Sequence, residues 1–187
     1  MSVERALPVK EVLEGQRTHW DRNFSEKSEM FGAVPSEPAV KAVELFNREG
    51  EAKLLELGGG QGRDTLFFAR EGFRVTVMDY SQAGIEAITA KADAAELANL
   101  ITAIRHDVRE HLPFDDNTFD CCYSHMLFCM ALTTTELERL SDEVRRVLKP
   151  GGLCVYTVRH TRDPPLRYRN PPGRGHVRSG RLHCPLF

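Results

Sequence analysis

At 187 residues the chain has the length of one domain with a substantial core, and its 41% hydrophobic and 28% charged content is ordinary for a globular protein. The net charge of −2 is unevenly spread: from Arg159 onward there are seven Arg, no Lys and the single acid Asp163, or +6, leaving 18 basic and 26 acidic residues, or −8, for the body. An acidic body argues against nucleic acid as a partner, and no stretch has the length of a membrane span or the apolar core of a signal peptide.

Cys121, Cys122, Cys129, Cys154 and Cys184 show no Cys-x-x-Cys spacing, and no pair of the seven His has zinc-motif spacing. Free thiols in a reducing cytoplasm are the expectation. Cys121 and Cys122 should point to opposite faces of one strand.

Val9 to Phe24 is predicted as a helix, with the lone Trp20 either docking it or covering a site. Pro35-Ser36-Glu37-Pro38 opens a second helix, with Ser36 as N-cap, Ala39, Val40, Val43 and Phe46 on its buried face and Gly50 as its stop. Lys53 to Leu57 reads as a buried strand. It breaks into Gly58, Gly59, Gly60 and Gly62, and Asp64 to Arg70 then carries a helical apolar face. Strand, glycine turn and helix open a nucleotide-type site in a doubly wound sheet. The spacing narrows the choice. Counted from Gly58, the sixth position is Arg63 rather than the glycine of a dinucleotide fingerprint, and the Gly-Lys-Ser/Thr of a P-loop is missing.

The order acid-x-Gly-x-Gly-x-Gly at Glu56, Gly58, Gly60 and Gly62 resembles motif I of the class I S-adenosylmethionine-dependent methyltransferases. The Gly-Gln-Gly-Arg-Asp run looks most like their tellurite-resistance and thiopurine-type branch. The resemblance implies a Rossmann-like α/β fold with helices on both faces and S-adenosyl-L-methionine as cofactor. It also implies a small-molecule acceptor, no metal, and an N-terminal segment around Trp20 and Phe31 that closes the site.

Phe73 to Met78 is predicted as strand two, ending in Asp79, which lies 79 − 62 = 17 residues beyond the last motif glycine. The resemblance makes Asp79 the ribose ligand, and Tyr80 stands where it can pack on adenine. Ser81 caps an Ala-rich helix running to Leu97. Leu100 to Arg105 is strand three, and Asp107 takes the family's adenine-binding place, its alternative being a solvated loop acid. A turn at Pro113 to Asn117 leads to strand four, Phe119 to His125. Ser124 and His125 leave that strand at the sheet edge where ligands bind. His125 is the candidate general base or substrate contact, with a structural histidine as the alternative, and Ser124 is expected to face the reacting end with it. Met126 to Met130 forms a short apolar helix. Thr135 caps the next, with Glu138 at the capping-box position, and Lys149-Pro150-Gly151-Gly152 ends it before strand five, Leu153 to Val158.

The resemblance covers about Leu54 to Arg159 and then stops. Residues 1–160 are read as the S-adenosylmethionine-binding domain and 161–187 as an atypical tail. Five of the ten prolines lie beyond Arg159, and no helical or alternating period is visible there. A shifted reading frame accounts for this, because codons exist for Gly175 to Phe187 whose neighbouring frame reads as a strand-bearing segment. A natural basic tail that binds a partner is the alternative. Without the family's closing hairpin, strand five is expected to present an unpaired edge and to invite self-association. Two other functions stay open: a cofactor-binding but catalytically impaired domain, and a nicotinamide-dependent oxidoreductase, which Arg63 at the sixth position disfavours.

Overall fold

The computed structural model describes residues 9–46, 53–130 and 132–159. Gly50 and the tail, with the readings attached to them, lie outside these residues. The chain alternates helices and strands: α1 Val9–Glu26, α2 Glu37–Phe46, β1 Lys53–Leu57, α3 Arg63–Arg70, β2 Arg74–Asp79, α4 Gln82–Ala94, β3 Ile101–Arg105, β4 Phe119–His125, a 3₁₀ turn at Leu127–Cys129, α5 Thr134–Val147 and β5 Leu148–Thr157. The five strands form one parallel sheet in the order β3-β2-β1-β4-β5. The order reverses between β1 and its neighbours β2 and β4, which opens a crevice at their C-terminal ends.

Buried parallel strands need apolar side chains on both faces, which is why Leu54-Leu55 and Cys121-Cys122 run without alternation. Leu54, Val75, Val77, Cys121 and Tyr123 pack with Ala39, Ala42, Phe46, Phe68 and Ile88 of α2, α3 and α4. Leu55, Leu57, Met78 and Cys122 pack on the other face with Leu140, Val144 and Val147 of α5. The adjacent cysteines thus divide between the two faces, and Cys121, Cys122, Cys129 and Cys154 are free thiols.

Three local readings are corrected. Val40 is 40% exposed, and Ala42 takes the buried place on α2, because a helical face centred on Ala39, Val43 and Phe46 includes 42 and not 40. The capping box on α5 is Thr133 with Glu136, each side chain bonded to the other's backbone N–H. Three consecutive threonines made two registers equally legible, and the reciprocal bonds of Thr133 and Glu136 show the earlier one. Finally, β5 starts at Leu148 rather than Leu153. Leu148 pairs with Phe119 and Leu153 with Cys121, so the intervening Lys-Pro-Gly-Gly bulges out of the ladder. Ser36 caps α2 as expected, its Oγ accepting from Ala39 N at 3.2 Å. Ser81 caps α4, accepting from Gly84 N at 3.1 Å.

Candidate active site

The crevice is built on the glycine turn. Gly58, Gly60 and Gly62 have φ of 78°, 56° and 84°, a region that strains any residue with a Cβ. The glycines that the motif spacing leaves out are equally constrained. A Cβ on Gly59 would lie 2.2 Å from Val77 Cγ2, and one on Gly84 of α4 would lie 2.6 Å from Gly60 O. The turn is thus wedged between β2 and α4 with its main chain facing the cavity. Around that cavity stand Glu56, Gly58, Gly60, Asp79, Tyr80 and His125, together with Trp20, Phe24 and Phe31 from the N-terminal segment.

Glu56 and Asp79 end adjacent strands. Both are buried, at 3% and 8% exposure. Glu56 accepts from Thr65 Oγ1 at 2.6 Å. Burial, reinforced by the Asp64 carboxylate, pushes its pKa up to about 8. Asp79 Oδ2 accepts from Gly60 N at 2.8 Å and Oδ1 from Ser81 N at 2.9 Å. Burial outweighs these bonds and lifts its pKa to about 6.

Asp64 is a buried hub that the sequence did not single out. Its carboxylate accepts from Ser36 N at 2.8 Å, Ser36 Oγ at 2.7 Å, Tyr123 OH at 3.2 Å and both Nε and Nη2 of Arg63 at 2.9 and 3.0 Å. Burial alone would raise its pKa, yet Arg63 and Ser36 hold it below the usual carboxylate range. The Arg63 guanidinium lies 5.9 Å from the Phe31 ring and borders the cavity.

His125 faces the same cavity from the end of β4. Its Nδ1 is 2.8 Å from Thr157 Oγ1, which also accepts from Met126 N at 2.9 Å. Burial lowers the His125 pKa, so the imidazole is neutral near pH 7. The next residue, Met126, has φ of 67° and carries the chain into the 3₁₀ turn along the cavity wall. Strain at a non-glycine residue here is held by the Thr157 contact.

Two sequence candidates stand elsewhere. Ser124 has no exposed surface and does not line the cavity; its Oγ donates to Leu57 O at 3.0 Å and ties β4 to β1. Strand alternation explains this, since His125 and Ser124 face opposite sides. Asp107 does not line the cavity either, and its carboxylate is paired with the Arg109 guanidinium. Beside it, His106 Nε2 is buried with no hydrogen-bond partner. No cluster of metal-ligating side chains is found among the described residues. No helix among them is long and apolar enough to cross a membrane.

A parallel sheet whose glycine turn and strand-end acids meet at the switch point defines a doubly wound α/β protein. More particularly, the chain belongs to the methyltransferase-domain family, which matches residues 54–152. It is 30% identical over 137 residues to the uncharacterized methyltransferase YodH of Bacillus subtilis, covering 71% of this chain and 56% of that one. It is 33% identical over 108 residues to the glycine/sarcosine/dimethylglycine N-methyltransferase of Actinopolyspora halophila, covering 57% and 18%. Among solved structures, the PH0226 protein of Pyrococcus horikoshii superimposes with a TM-score of 0.56 at 29% identity, covering 63% of this chain and 54% of that one. The chain spans no more than 56% of the length of such curated relatives.

Proposed function

We propose that this chain takes part in methyl transfer from S-adenosyl-L-methionine to a small-molecule acceptor. The observation that carries the reading is the pair of buried carboxylates on the cavity wall, Glu56 and Asp79, held above their ordinary pKa values by desolvation. A ligand with an ammonium group, a sulfonium and ribose hydroxyls supplies the charge and the donors that these two acids want. The glycine turn lets that ligand approach main chain, and Tyr80 on the cavity wall marks the side suited to a polar aromatic base.

When bound, S-adenosylmethionine supplies a methyl group already activated on sulfur. The protein's part is then to hold donor and acceptor in line and to take up the acceptor's proton. Asp79 would hold the ribose hydroxyls and Glu56 the amino end. In the tautomer whose Nδ1–H donates to Thr157 Oγ1, the neutral His125 is left with Nε2 as the atom to receive the proton. The aromatic cover of Trp20, Phe24 and Phe31 excludes water. Arg63 and the Gly-Gln-Gly-Arg-Asp run favour the tellurite-resistance and thiopurine-type branch within the family.

Calorimetry with S-adenosylhomocysteine tests the reading. Asp79→Ala removes two charge-assisted bonds, each worth roughly 1.5–3 kcal/mol, and should weaken binding by at least about tenfold. Wild-type affinity in the variant, or tighter binding of NADH than of S-adenosylhomocysteine, would remove the assignment.

A further inference from the structure

Gln61 lies inside the glycine turn and is 4% exposed. Its side chain is fully engaged by main chain from a distant segment. Nε2 donates to Phe24 O at 3.1 Å and Lys27 O at 2.6 Å, and Oε1 accepts from Met30 N at 3.0 Å. These partners belong to the last turn of α1 and the loop that follows it. The same segment carries Trp20, Phe24 and Phe31, whose rings meet at centroid distances of 5.4 to 6.3 Å and wall the cavity. Lys27, Ser28, Glu29 and residues 31–34 are all exposed, so the loop buries little surface to hold itself down. Upstream, the Asp21 carboxylate accepts from Ser81 Oγ at 2.7 Å and Ala83 N at 3.1 Å, pinning the middle of α1 to the start of α4.

We propose that Gln61 is a positioning residue that locks this aromatic cover onto the cofactor turn, so that ligand occupancy of the turn and closure of the cover reinforce each other. Only an uncharged amide offers both the two N–H donors and the acceptor that the three main-chain partners require. Its own carbonyl accepts from Lys91 Nζ at 3.1 Å, which seats the residue against α4. Anything that orders the turn therefore orders the cover, and by reciprocity a closed cover tightens the binding of whatever the turn holds. Release of the Gln61 bonds leaves the Asp21 pin in place, so the segment opens from its C-terminal end.

The coupling to ligand rests on the cofactor reading above, but the locking does not. The chain has one tryptophan, Trp20, so its emission reports the cover directly. Full-length wild type, Gln61→Ala and Gln61→Glu are compared by acrylamide quenching without ligand and by stopped-flow release of S-adenosylhomocysteine. The Glu variant keeps the shape and loses the donors. Both variants should show higher quenching constants and dissociation about tenfold faster, with far-UV circular dichroism unchanged. Arg22→Ala, on the exposed face of α1, should match wild type. Unchanged quenching in both variants overturns the lock, as does a failure of both to fold, which would make Gln61 a folding residue. Wild type that fails to bind S-adenosylhomocysteine removes the cofactor reading, while the quenching comparison still decides the lock.

Discussion

Replacing Glu56 with Gln should stabilise the ligand-free protein above neutral pH. Glu56 is 3% exposed, and burial together with the Asp64 charge raises its pKa to about 8 from an ordinary 4.5. The folded chain thus binds this proton more tightly than the unfolded chain does. Between the two pKa values the folded state carries more bound protons, so stability falls as pH rises, by up to about 1.4 kcal/mol per pH unit. Across the whole window the loss reaches roughly 5 kcal/mol, a large fraction of a typical domain's stability. Asp79 adds a second falling slope between 3.8 and about 6. Gln keeps an acceptor for Thr65 Oγ1 and cannot ionise. Urea unfolding near pH 5, 7 and 9 should therefore show the variant on a flatter profile and above wild type at the highest pH. S-adenosylhomocysteine should reverse the order, because its ammonium group favours the ionised Glu56 of wild type. A variant that tracks wild type at every pH, or is less stable at the top of the range, would refute the reasoning.

His125→Ala should leave S-adenosylhomocysteine affinity near wild type while lowering turnover about 10²- to 10⁴-fold on a true acceptor. In wild type the acid limb of the turnover profile should lie below the ordinary histidine range, since burial depresses this imidazole. Equal turnover in both proteins would take His125 out of the chemistry. Ser124→Ala should cost about 1–2 kcal/mol in stability, through the lost bond to Leu57 O, and spare turnover. Selective loss of turnover at unchanged stability would return Ser124 to the site. The outer edge of β5 pairs with no strand among the described residues. Self-association through it should appear as concentration-dependent light scattering of the 187-residue chain, and a monomer at every concentration would sink that idea.

Much of the frame was legible because it rests on local rules. Apolar runs at Leu54 to Leu57 and Val75 to Met78 had to be buried strands. Glycines at 58, 60 and 62 had to make a turn that other residues strain to enter, and all three take positive φ. Asp79 was placed at the site by the family resemblance, and it lines the crevice. Where two local registers read alike, as at Thr133 and Thr135, the sequence offered no means of choosing, and the folded helix takes the earlier cap. Ser124 and His125, adjacent at the end of one strand, were both expected to face the reacting end. The pleat sends one side chain into the sheet, where it bonds Leu57, and the other into the cavity.

The sequence by itself determined the strand-turn-helix order and the identity of the turn, because backbone sterics act over a few residues. Only the tertiary structure decided which charges meet. Asp64 gathers Ser36 and Tyr123 from 28 and 59 residues away, and Gln61 clasps main chain 31 to 37 residues upstream. It also left Asp107 off the cavity wall. Hydrogen bonds and desolvation depend on what lies within a few ångströms in space, and separation along the chain does not encode that distance.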